Sequence, residues 1–265
     1  MKRNKILLTN DDGIGAMGLF HLYQSLKGIA DLIIAAPDRE QSGTGVGITV
    51  KGPLRVEQVS SFSKVSAWKI GGTPADCVKL AVTTLMDFSP DLIVSGINHG
   101  SNAGRNVLYS GTNGGAIEAA LRGIPAIALS YACEKTREFP YVEPLISPII
   151  EYLQEHPLPS GSFLNVNLPH LQEKEFKGFK MTRQGKGYWM ENPEYDLNLK
   201  DGYHEYWIDG GGVRCKEDDQ SDVFLLDQGY ATAVPINVNE LTHLSYFFEK
   251  KKVFEQRLNM KKLHV

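Results

Sequence analysis

The segment Lys-Ile-Leu-Leu-Thr-Asn-Asp-Asp-Gly, residues 5–13, leads from an apolar run directly into two adjacent carboxylates, Asp11 and Asp12. The apolar run is typical of a buried strand, and the carboxyl ends of strands line the ligand crevice in open α/β sheets. Two carboxylates about 5 Å apart repel by roughly 3 kcal/mol at an effective dielectric of about 20, and a divalent cation would turn that repulsion into attraction. At this point a metal site and a solvated Asx turn explain the segment equally well.

Strand and helix patterns alternate through the first half of the chain. The predicted strands cover residues 5–9, 31–36, 91–95 and 124–130. The predicted helices cover about 17–27, 74–87 and 113–122. Shorter strand patterns interrupt the alternation at 48–50, 54–56 and 67–70. Because strands that alternate with helices are typical of a parallel sheet, the predicted fold class is α/β.

Length, charge and cysteine content limit the kind of protein that this chain can be. Its 265 residues suit one large domain, or one domain with an appendage. A formal net charge of −3 disfavours a nucleic-acid polymer as the main partner, because such binding needs a basic surface. No apolar run is long enough for a membrane span or a signal peptide. Cys77, Cys133 and Cys215 show no C-x-x-C spacing, which indicates a reducing cytoplasm rather than a disulfide framework.

The second half of the chain begins with the same pattern and then changes. A helix near 141–155 and a strand at 163–166 precede a polar, ring-rich stretch at about 171–220, and a strand at 229–234 and a charged helix from Phe247 follow it. The large rings of this stretch are Tyr188, Trp189, Tyr195, Tyr203, Tyr206 and Trp207. So many rings suit an extended arm buried against a partner subunit, and a surface excursion packed on its own core is an equal alternative.

Three further polar loops follow predicted elements at the same edge of the sheet, at 37–45, 96–104 and 109–115. Their glycines allow backbone N–H groups to face an anion, and a Ser or Thr at a helix start adds a donor near the positive end of the dipole. Ser42 and Asn98 add neutral oxygens to the two carboxylates, which makes a donor set suited to Mg²⁺ or Mn²⁺. Ordinary turn formation and backbone capping are the alternatives for these loops.

Several other catalytic classes lack their motifs. The seven histidines show no H-x-H or H-E-x-x-H spacing, which disfavours a zinc hydrolase built on imidazoles. Neither a G-x-S-x-G nucleophile elbow nor a G-K-[ST] phosphate loop occurs. His99 lies beside the expected site and could assist proton transfer, but the sequence favours an ordinary loop histidine.

Five motifs together resemble the survival protein SurE family, and the resemblance covers most of the chain. The motifs are Thr9-Asn10-Asp11-Asp12-Gly13, Gln41-Ser42-Gly43, Gly72-Thr73-Pro74-Ala75-Asp76-Cys77-Val78, Ser95-Gly96-Ile97-Asn98 and Tyr109-Ser110-Gly111-Thr112. The resemblance implies a divalent-metal-dependent nucleotidase that hydrolyses nucleoside 5′- and 3′-monophosphates. It also implies a Rossmann-like, mostly parallel core with an extended β arm and a swapped carboxyl-terminal element, assembled as a homodimer or homotetramer.

The resemblance carries residue roles as well. It implies that the metal ligands are Asp11, Asp12, Ser42 and Asn98, and that Ser110, Gly111 and Thr112 form the phosphate-side loop. Two departures from the family pattern are Asn106, where the family usually has an aspartate, and the run Asn113-Gly114-Gly115. The first removes a charge expected near the metal, and the second is expected to alter the start of the helix.

The sequence therefore predicts one domain over residues 1–265, with a core at 1–170 and an arm plus carboxyl-terminal oligomerisation segment at 171–265. The predicted activity is that of a 5′-nucleotidase with one bound Mg²⁺ or Mn²⁺. Asp12 activates the attacking water, while the Ser110 loop and Asn102 stabilise the added negative charge. Direct attack by a carboxylate, which would give an aspartyl-phosphate, is an alternative route.

A different class of protein also places an acidic pair after its first strand: the Mg²⁺-binding receiver modules that phosphorylation controls. Such a module needs a phosphoacceptor aspartate at the end of its third strand, and residues 47–57 contain no aspartate. The chain is also longer than such a module requires. The receiver reading therefore ranks second.

Overall fold

The apolar run at the start of the chain forms the central strand of the sheet in the computed structural model, which describes residues 3–133, 138–171, 175–189, 196–200, 203–206, 212–213 and 215–259. The strands are β1 (Asn4–Thr9), β2 (Ala30–Pro37), β3 (Val56–Val59), β4 (Ser66–Ile70), β5 (Leu92–His99), β6 (Ala126–Tyr131), β7 (Ser162–Leu168), β8 (Phe179–Met181), β9 (Tyr188–Trp189), β10 (Asp196–Lys200), β11 (Tyr203–Tyr206), β12 (Gly212–Val213) and β13 (Ala231–Asn237). The helices are α1 (Met17–Leu26), α2 (Pro74–Leu80), α3 (Gly111–Leu121), α4 (Glu143–Glu155), α5 (Asp222–Asp227) and α6 (Leu244–Asn259).

Nine strands form one mostly parallel sheet in the order β3-β4-β2-β1-β5-β6-β7-β13-β8. β1 pairs in parallel with both β2 and β5, so the strand order runs in opposite directions on its two sides. β3 and β13 pair antiparallel with β4 and β7. In open α/β sheets, ligands bind outside the carboxyl ends of the strands at such a switch point. The crevice therefore lies where β1 and β5 end.

Helices cover both faces of the sheet and bury two apolar layers. α1 and α4 cover one face, and α1 contributes Leu19, Leu22 and Leu26 at helical spacing. α2 and α3 cover the other face. α2 begins with a reciprocal capping box between Thr73 and Asp76, which satisfies two backbone N–H groups at its start.

The predicted α/β class and mostly parallel sheet are confirmed, with differences in detail. The helix predicted at 74–87 is α-helical only to Leu80 and continues as a π-helical turn over Ala81–Leu85. The strand predicted at 48–50 is absent, because Thr49 donates its N–H and hydroxyl to the Asp76 carboxylate rather than to a strand. The strand predicted at 54–56 begins only at Val56, and β5 extends to His99.

The stretch predicted as an arm contains two short antiparallel pairs, β9 with β12 and β10 with β11. Tyr188 is half-buried and Trp189 is 40% exposed, whereas Tyr195 and Trp207 lie outside the described residues. Within the described part of the chain, no helix combines the length and apolar character that crossing a membrane requires. The three cysteines are free thiols.

Candidate metal and phosphate site

The two aspartates lie in the turn that follows β1. Gly13 takes a φ of +97°, and the buried Asn10 side chain donates to its carbonyl oxygen across 2.9 Å. Asn10 thus holds the turn, and the Asp12 carboxylate reaches β5 instead, where Oδ2 accepts the backbone N–H of His99 at 3.3 Å. The turn is therefore held by the Asn10 side chain, and the Asp12 carboxylate is used elsewhere. This favours the interpretation of the aspartates as metal ligands over a simple Asx turn.

Asp11 is almost fully buried and binds Thr112, at the start of α3. Thr112 Oγ1 donates to Asp11 Oδ1 across 2.6 Å. Burial raises the pKa of Asp11 to about 7; the hydrogen bond from Thr112 opposes this rise and the neighbouring Asp12 charge adds to it. A buried carboxylate beside a second one favours occupancy by a proton or a cation.

Gly111 allows α3 to approach Asp11 so closely. A Cβ at this position would lie 2.8 Å from the Asp11 Cβ and 2.9 Å from Oδ2, too close for any other residue type. Ser110 caps the helix, since its hydroxyl accepts the Asn113 N–H at 3.1 Å. The first turn of α3 therefore begins beside the Asp11 carboxylate, which also accepts a backbone hydrogen bond from Thr112.

The other two predicted metal ligands lie on the neighbouring segments. Gln41 N–H donates to the Asp11 carbonyl at 2.7 Å, which holds the Ser42 loop against the turn. The exposed Ser42 hydroxyl donates to Glu40 Oε1 at 2.8 Å and keeps its lone pairs for a cation. Asn98 uses its amide nitrogen on the Gly100 carbonyl at 2.9 Å, so its oxygen is the remaining ligand atom.

The chemistry of this oxygen set fits a hard cation. In the part of the chain that the structure describes, no three His, Cys, Asp or Glu side chains are grouped to hold an ion. Two carboxylates must therefore be completed by neutral oxygens, as Ser42 and Asn98 offer. Mg²⁺ and Mn²⁺ accept such oxygen ligands and retain bound water.

Asn102 lies behind the phosphate-side loop. It is buried, and its amide nitrogen donates to Ser130 Oγ at 2.9 Å and makes a long contact of 3.5 Å with Thr112 Oγ1. Its backbone N–H donates to Asn167 Oδ1 at 2.8 Å. Asn102 thus connects the loop after β5 to the hydroxyl that holds Asp11.

Asn106, the first departure from the family pattern, contacts the base of the arm. Its Oδ1 accepts the Trp189 N–H at 2.7 Å. Nearby, the fully buried Asp222 accepts the N–H groups of Gly104, Gly185 and Val223 at 2.7–2.9 Å. Burial raises the pKa of Asp222, and these three donors oppose the rise. The segment leading to the phosphate-side loop is therefore anchored on the arm.

The second departure, Asn113-Gly114-Gly115, leaves the cap of α3 intact. A Cβ on Gly114 would overlap the carbonyl oxygen of Gly45, so glycine lets the Ser42 loop pack on the helix. The run therefore changes the helix start by a close approach of the Ser42 loop to α3, while the cap is kept. The Asn113 side chain is fully buried, and neither of its amide atoms has a partner within the described residues.

Sequence reasoning missed several residues that border the site. Met17, Arg39 and Phe139 line a cleft of about 420 Å³ that also touches Asp12 and Ser42. Arg39 could have been found, since it belongs to the polar loop after β2 at the same sheet edge. Phe139 could not be predicted from the sequence, because it lies in the connection between β6 and α4, far along the chain from the other cleft residues.

Comparison with known proteins points to one family. The family model described as survival protein SurE matches residues 6–191. A 5′-nucleotidase SurE from Protochlamydia amoebophila is 43% identical over 255 residues, covering 96% of this chain and 98% of that protein. One from Christiangramia forsetii is 41% identical and covers 91% and 94% of the two chains. The crystal structure of the SurE protein from Aquifex aeolicus superposes with a TM-score of 0.80 at 33% identity, covering 94% of this chain and 99% of that one.

Proposed function

The chain belongs to the survival protein SurE family, and we propose that it is a 5′-nucleotidase that hydrolyses nucleoside monophosphates with the help of one divalent cation. One observation carries the proposal: the hydrogen bond from Thr112 to Asp11 unites a carboxylate pair with the amino terminus of α3. Carboxylates suit a metal ion, and a helix amino terminus suits a phosphate. Their contact supports a site for both.

In this mechanism Asp11, Asp12, Ser42 and Asn98 hold the cation. When bound, a divalent cation polarises a phosphoryl oxygen and lowers the pKa of a water molecule. The backbone N–H groups at the start of α3 orient the phosphate and stabilise the charge that develops on its oxygens. Asp12, which is less buried than Asp11 and borders the cleft, takes the proton from the attacking water.

The decisive experiment measures phosphate released from adenosine 5′-monophosphate with Mn²⁺, with Mg²⁺ and with chelator. We expect many turnovers with metal and almost none with chelator. Asp12→Asn should lower kcat about 100-fold or more with an unchanged circular dichroism spectrum, because one anionic ligand and the base are lost together. Asp87→Asn changes an exposed aspartate and serves as the matched control. Equal turnover in chelator would refute the metal mechanism.

Metal titration of further variants separates the two parts of the site. Ser42→Ala and Asn98→Ala remove neutral metal ligands, so excess Mn²⁺ should partly restore their rates. Thr112→Ala removes a phosphate-side hydroxyl and also the hydrogen bond that favours the ionised form of Asp11, so excess Mn²⁺ should restore its rate less than the rates of the other two variants. Fuller rescue of Thr112→Ala than of Ser42→Ala and Asn98→Ala would mean that these roles are misassigned. Adenosine 3′-monophosphate, included as a second substrate, tests the proposed 3′ activity.

A homo-oligomeric assembly completes the proposal. α6 carries Tyr246, Phe248, Val253 and Phe254 with 60% or more of each side chain exposed. Several large apolar side chains exposed on one helix are costly in water and are typical of a protein interface. A second copy of the chain, in a homodimer or homotetramer, is the proposed partner of this helix and of the arm.

A further inference from the structure

A cleft of about 420 Å³ opens on one side of the proposed metal site. Its lining includes the turn from Gly13 to Gly18 and the loop Asp38–Glu40. We call it the Met17–Arg39 cleft after one residue of each segment. Asp12 and Ser42 belong to its lining, whereas Ser110, Gly111 and Thr112 do not. The cleft thus borders two of the proposed metal ligands and does not include the phosphate-side loop.

The volume of the cleft is larger than a phosphate group alone would fill. Small-molecule sites in proteins span about 300 to 1,000 Å³, so this volume falls in the range for a drug-sized ligand. A metal ion and a phosphate group would leave most of it empty. A substrate whose phosphate reaches the metal must place its remaining atoms in the available space, and this cleft borders two of the proposed metal ligands.

The lining is chemically divided. Ile14, Ala16 and Met17 offer apolar surface, and the mostly buried Phe139 also belongs to the lining. Met17 is 51% exposed at the first position of α1, although a large apolar side chain would gain by burial. The loop Asp38–Glu40 adds the exposed Arg39, which makes no ion pair with a described carboxylate within 4.0 Å. Apolar surface and a guanidinium in one cleft suit a flat aromatic ring.

The cleft also contains carboxylates that could bind the hydroxyl groups of a ligand. Asp38 and Glu40 flank Arg39 and lie in the lining, and Glu40 already accepts the Ser42 hydroxyl. Carboxylate oxygens accept hydrogen bonds from hydroxyl groups. A nucleoside offers both features, because a planar base is joined to a sugar with hydroxyl groups.

We propose that the Met17–Arg39 cleft binds the nucleoside part of the substrate, with the base against Met17 and Arg39 and the sugar hydroxyls facing Asp38 and Glu40. This inference rests on the proposed nucleotidase activity and specifies where the leaving group lies. The base then contributes binding energy, and the enzyme prefers nucleotides to sugar phosphates without a base.

The test compares adenosine 5′-monophosphate with ribose 5-phosphate, which has the same ester but no base. The wild-type kcat/KM should be at least about tenfold higher for the nucleotide, since stacking a base contributes about 1–3 kcal/mol. Met17→Ala and Arg39→Ala should each raise KM for the nucleotide about three- to tenfold. KM for ribose 5-phosphate and both kcat values should change less than about twofold.

Two exposed residues outside the cleft, one methionine and one arginine, provide the matched controls. Met181→Ala removes a methionine exposed to 58% on β8, and Arg3→Ala removes an exposed arginine that precedes β1 and lies outside the cleft, so both should leave all constants unchanged. Met17→Gln keeps the side-chain length in case Met17→Ala does not fold. Equal effects on both substrates would place these residues on the phosphate and overturn the inference, as would no effect on either. Absence of phosphate release from any substrate by the wild type would instead refute the nucleotidase activity.

Discussion

Thr112 donates its hydroxyl to the Asp11 carboxylate across 2.6 Å, although 101 residues separate them in the chain. The bond joins the end of β1 to the start of α3 and is buried on both sides. A hydrogen bond to a charged acceptor contributes about 1.5–3 kcal/mol. Thr112 thereby favours the ionised form of Asp11, the form that the proposed metal site requires.

Asp11→Asn should make the metal-free protein more stable at pH 8. The pKa of Asp11 is raised to about 7 from the ordinary 3.8, so folding favours the protonated form, and stability falls as pH rises through this window. The loss is on the order of 4 kcal/mol above pH 7, and the neutral asparagine avoids it. Urea unfolding in chelator at pH 8 and pH 4 measures this, and the gain should vanish at pH 4.

Excess Mn²⁺ should reverse the order of stability, because the proposed site of the wild type should bind the cation more tightly than that of Asp11→Asn. A variant that is less stable than the wild type in chelator at pH 8 would contradict the assigned burial cost. An equal gain from Mn²⁺ in both proteins would contradict the ligand role of Asp11.

Gly114→Ala should destabilise the protein, although alanine normally favours a helix. The new Cβ would overlap the Gly45 carbonyl oxygen, so the loop that carries Ser42 must move. Overpacking of this kind costs about 1–3 kcal/mol. Gly28→Ala, whose Cβ would have no neighbour within 4 Å, is the control and should change stability by less than about 0.5 kcal/mol. Urea unfolding together with Mn²⁺ affinity measures both effects, and two equally stable variants would refute the close approach.

Asp222→Ala should lower stability by about 3 kcal/mol or more and raise KM for the nucleotide. Three buried N–H groups, those of Gly104, Gly185 and Val223, lose their acceptor. Asp222→Asn keeps the oxygen that serves Gly185 and Val223, so an intermediate loss is expected. Asp219→Ala, at an exposed neighbouring position, should be neutral. Thermal unfolding and steady-state kinetics test this. An unchanged KM in a folded Asp222→Ala variant would show that the Asp222 hydrogen bonds do not influence substrate binding at the phosphate-side loop.

Asn106→Asp should preserve activity within about twofold. The Asn106 side chain accepts the Trp189 N–H through its oxygen, and a carboxylate can accept the same bond. Asn106→Leu, of similar size but without an acceptor, should raise KM because the base of the arm is released. Kinetics with adenosine 5′-monophosphate compares the two. A large loss in Asn106→Asp would show that the neutral amide itself is required in this chain.

The double substitution Phe248→Glu and Phe254→Glu should yield monomers. Both rings are largely exposed on α6, and two carboxylates in their place cannot be buried against a second copy. Light scattering over a dilution series should find a stable oligomer for the wild type. Lys252→Glu, at an exposed position of the same helix, controls for the added charge. A wild-type chain that is monomeric and fully active at all concentrations would refute the assembly.

The sequence alone predicted those features that depend on neighbouring residues. The strand that ends at Asp11, the helix that begins near Met17 and the capped start of α2 follow from local periodicity and capping residues. These local elements were predicted because short-range physics determines them. The rule that ligands meet strand ends at a switch point placed Asp12 near the end of β5, and its carboxylate accepts the His99 N–H there.

Features that depend on distant contacts could not be predicted. No local pattern shows that the Asp76 carboxylate accepts hydrogen bonds from Thr49, which prevents a strand at 48–50. Nothing in the sequence around Asn106 indicates Trp189 as its partner. The same holds for Phe139, whose ring reaches the cleft beside Met17 from the connection between β6 and α4.

The hydrogen bond from Gly104 to Asp222 also affects the order in which parts of the chain can fold during synthesis. Gly104 precedes its acceptor by 118 residues, which takes on the order of ten seconds to translate. Until Asp222 has left the ribosome, the turn leading to Ser110 lacks the carboxylate that fixes it. We expect the nascent chain to bury its central strands early and to remain without hydrolytic activity until its last quarter emerges, so that an incomplete chain cannot consume nucleotides.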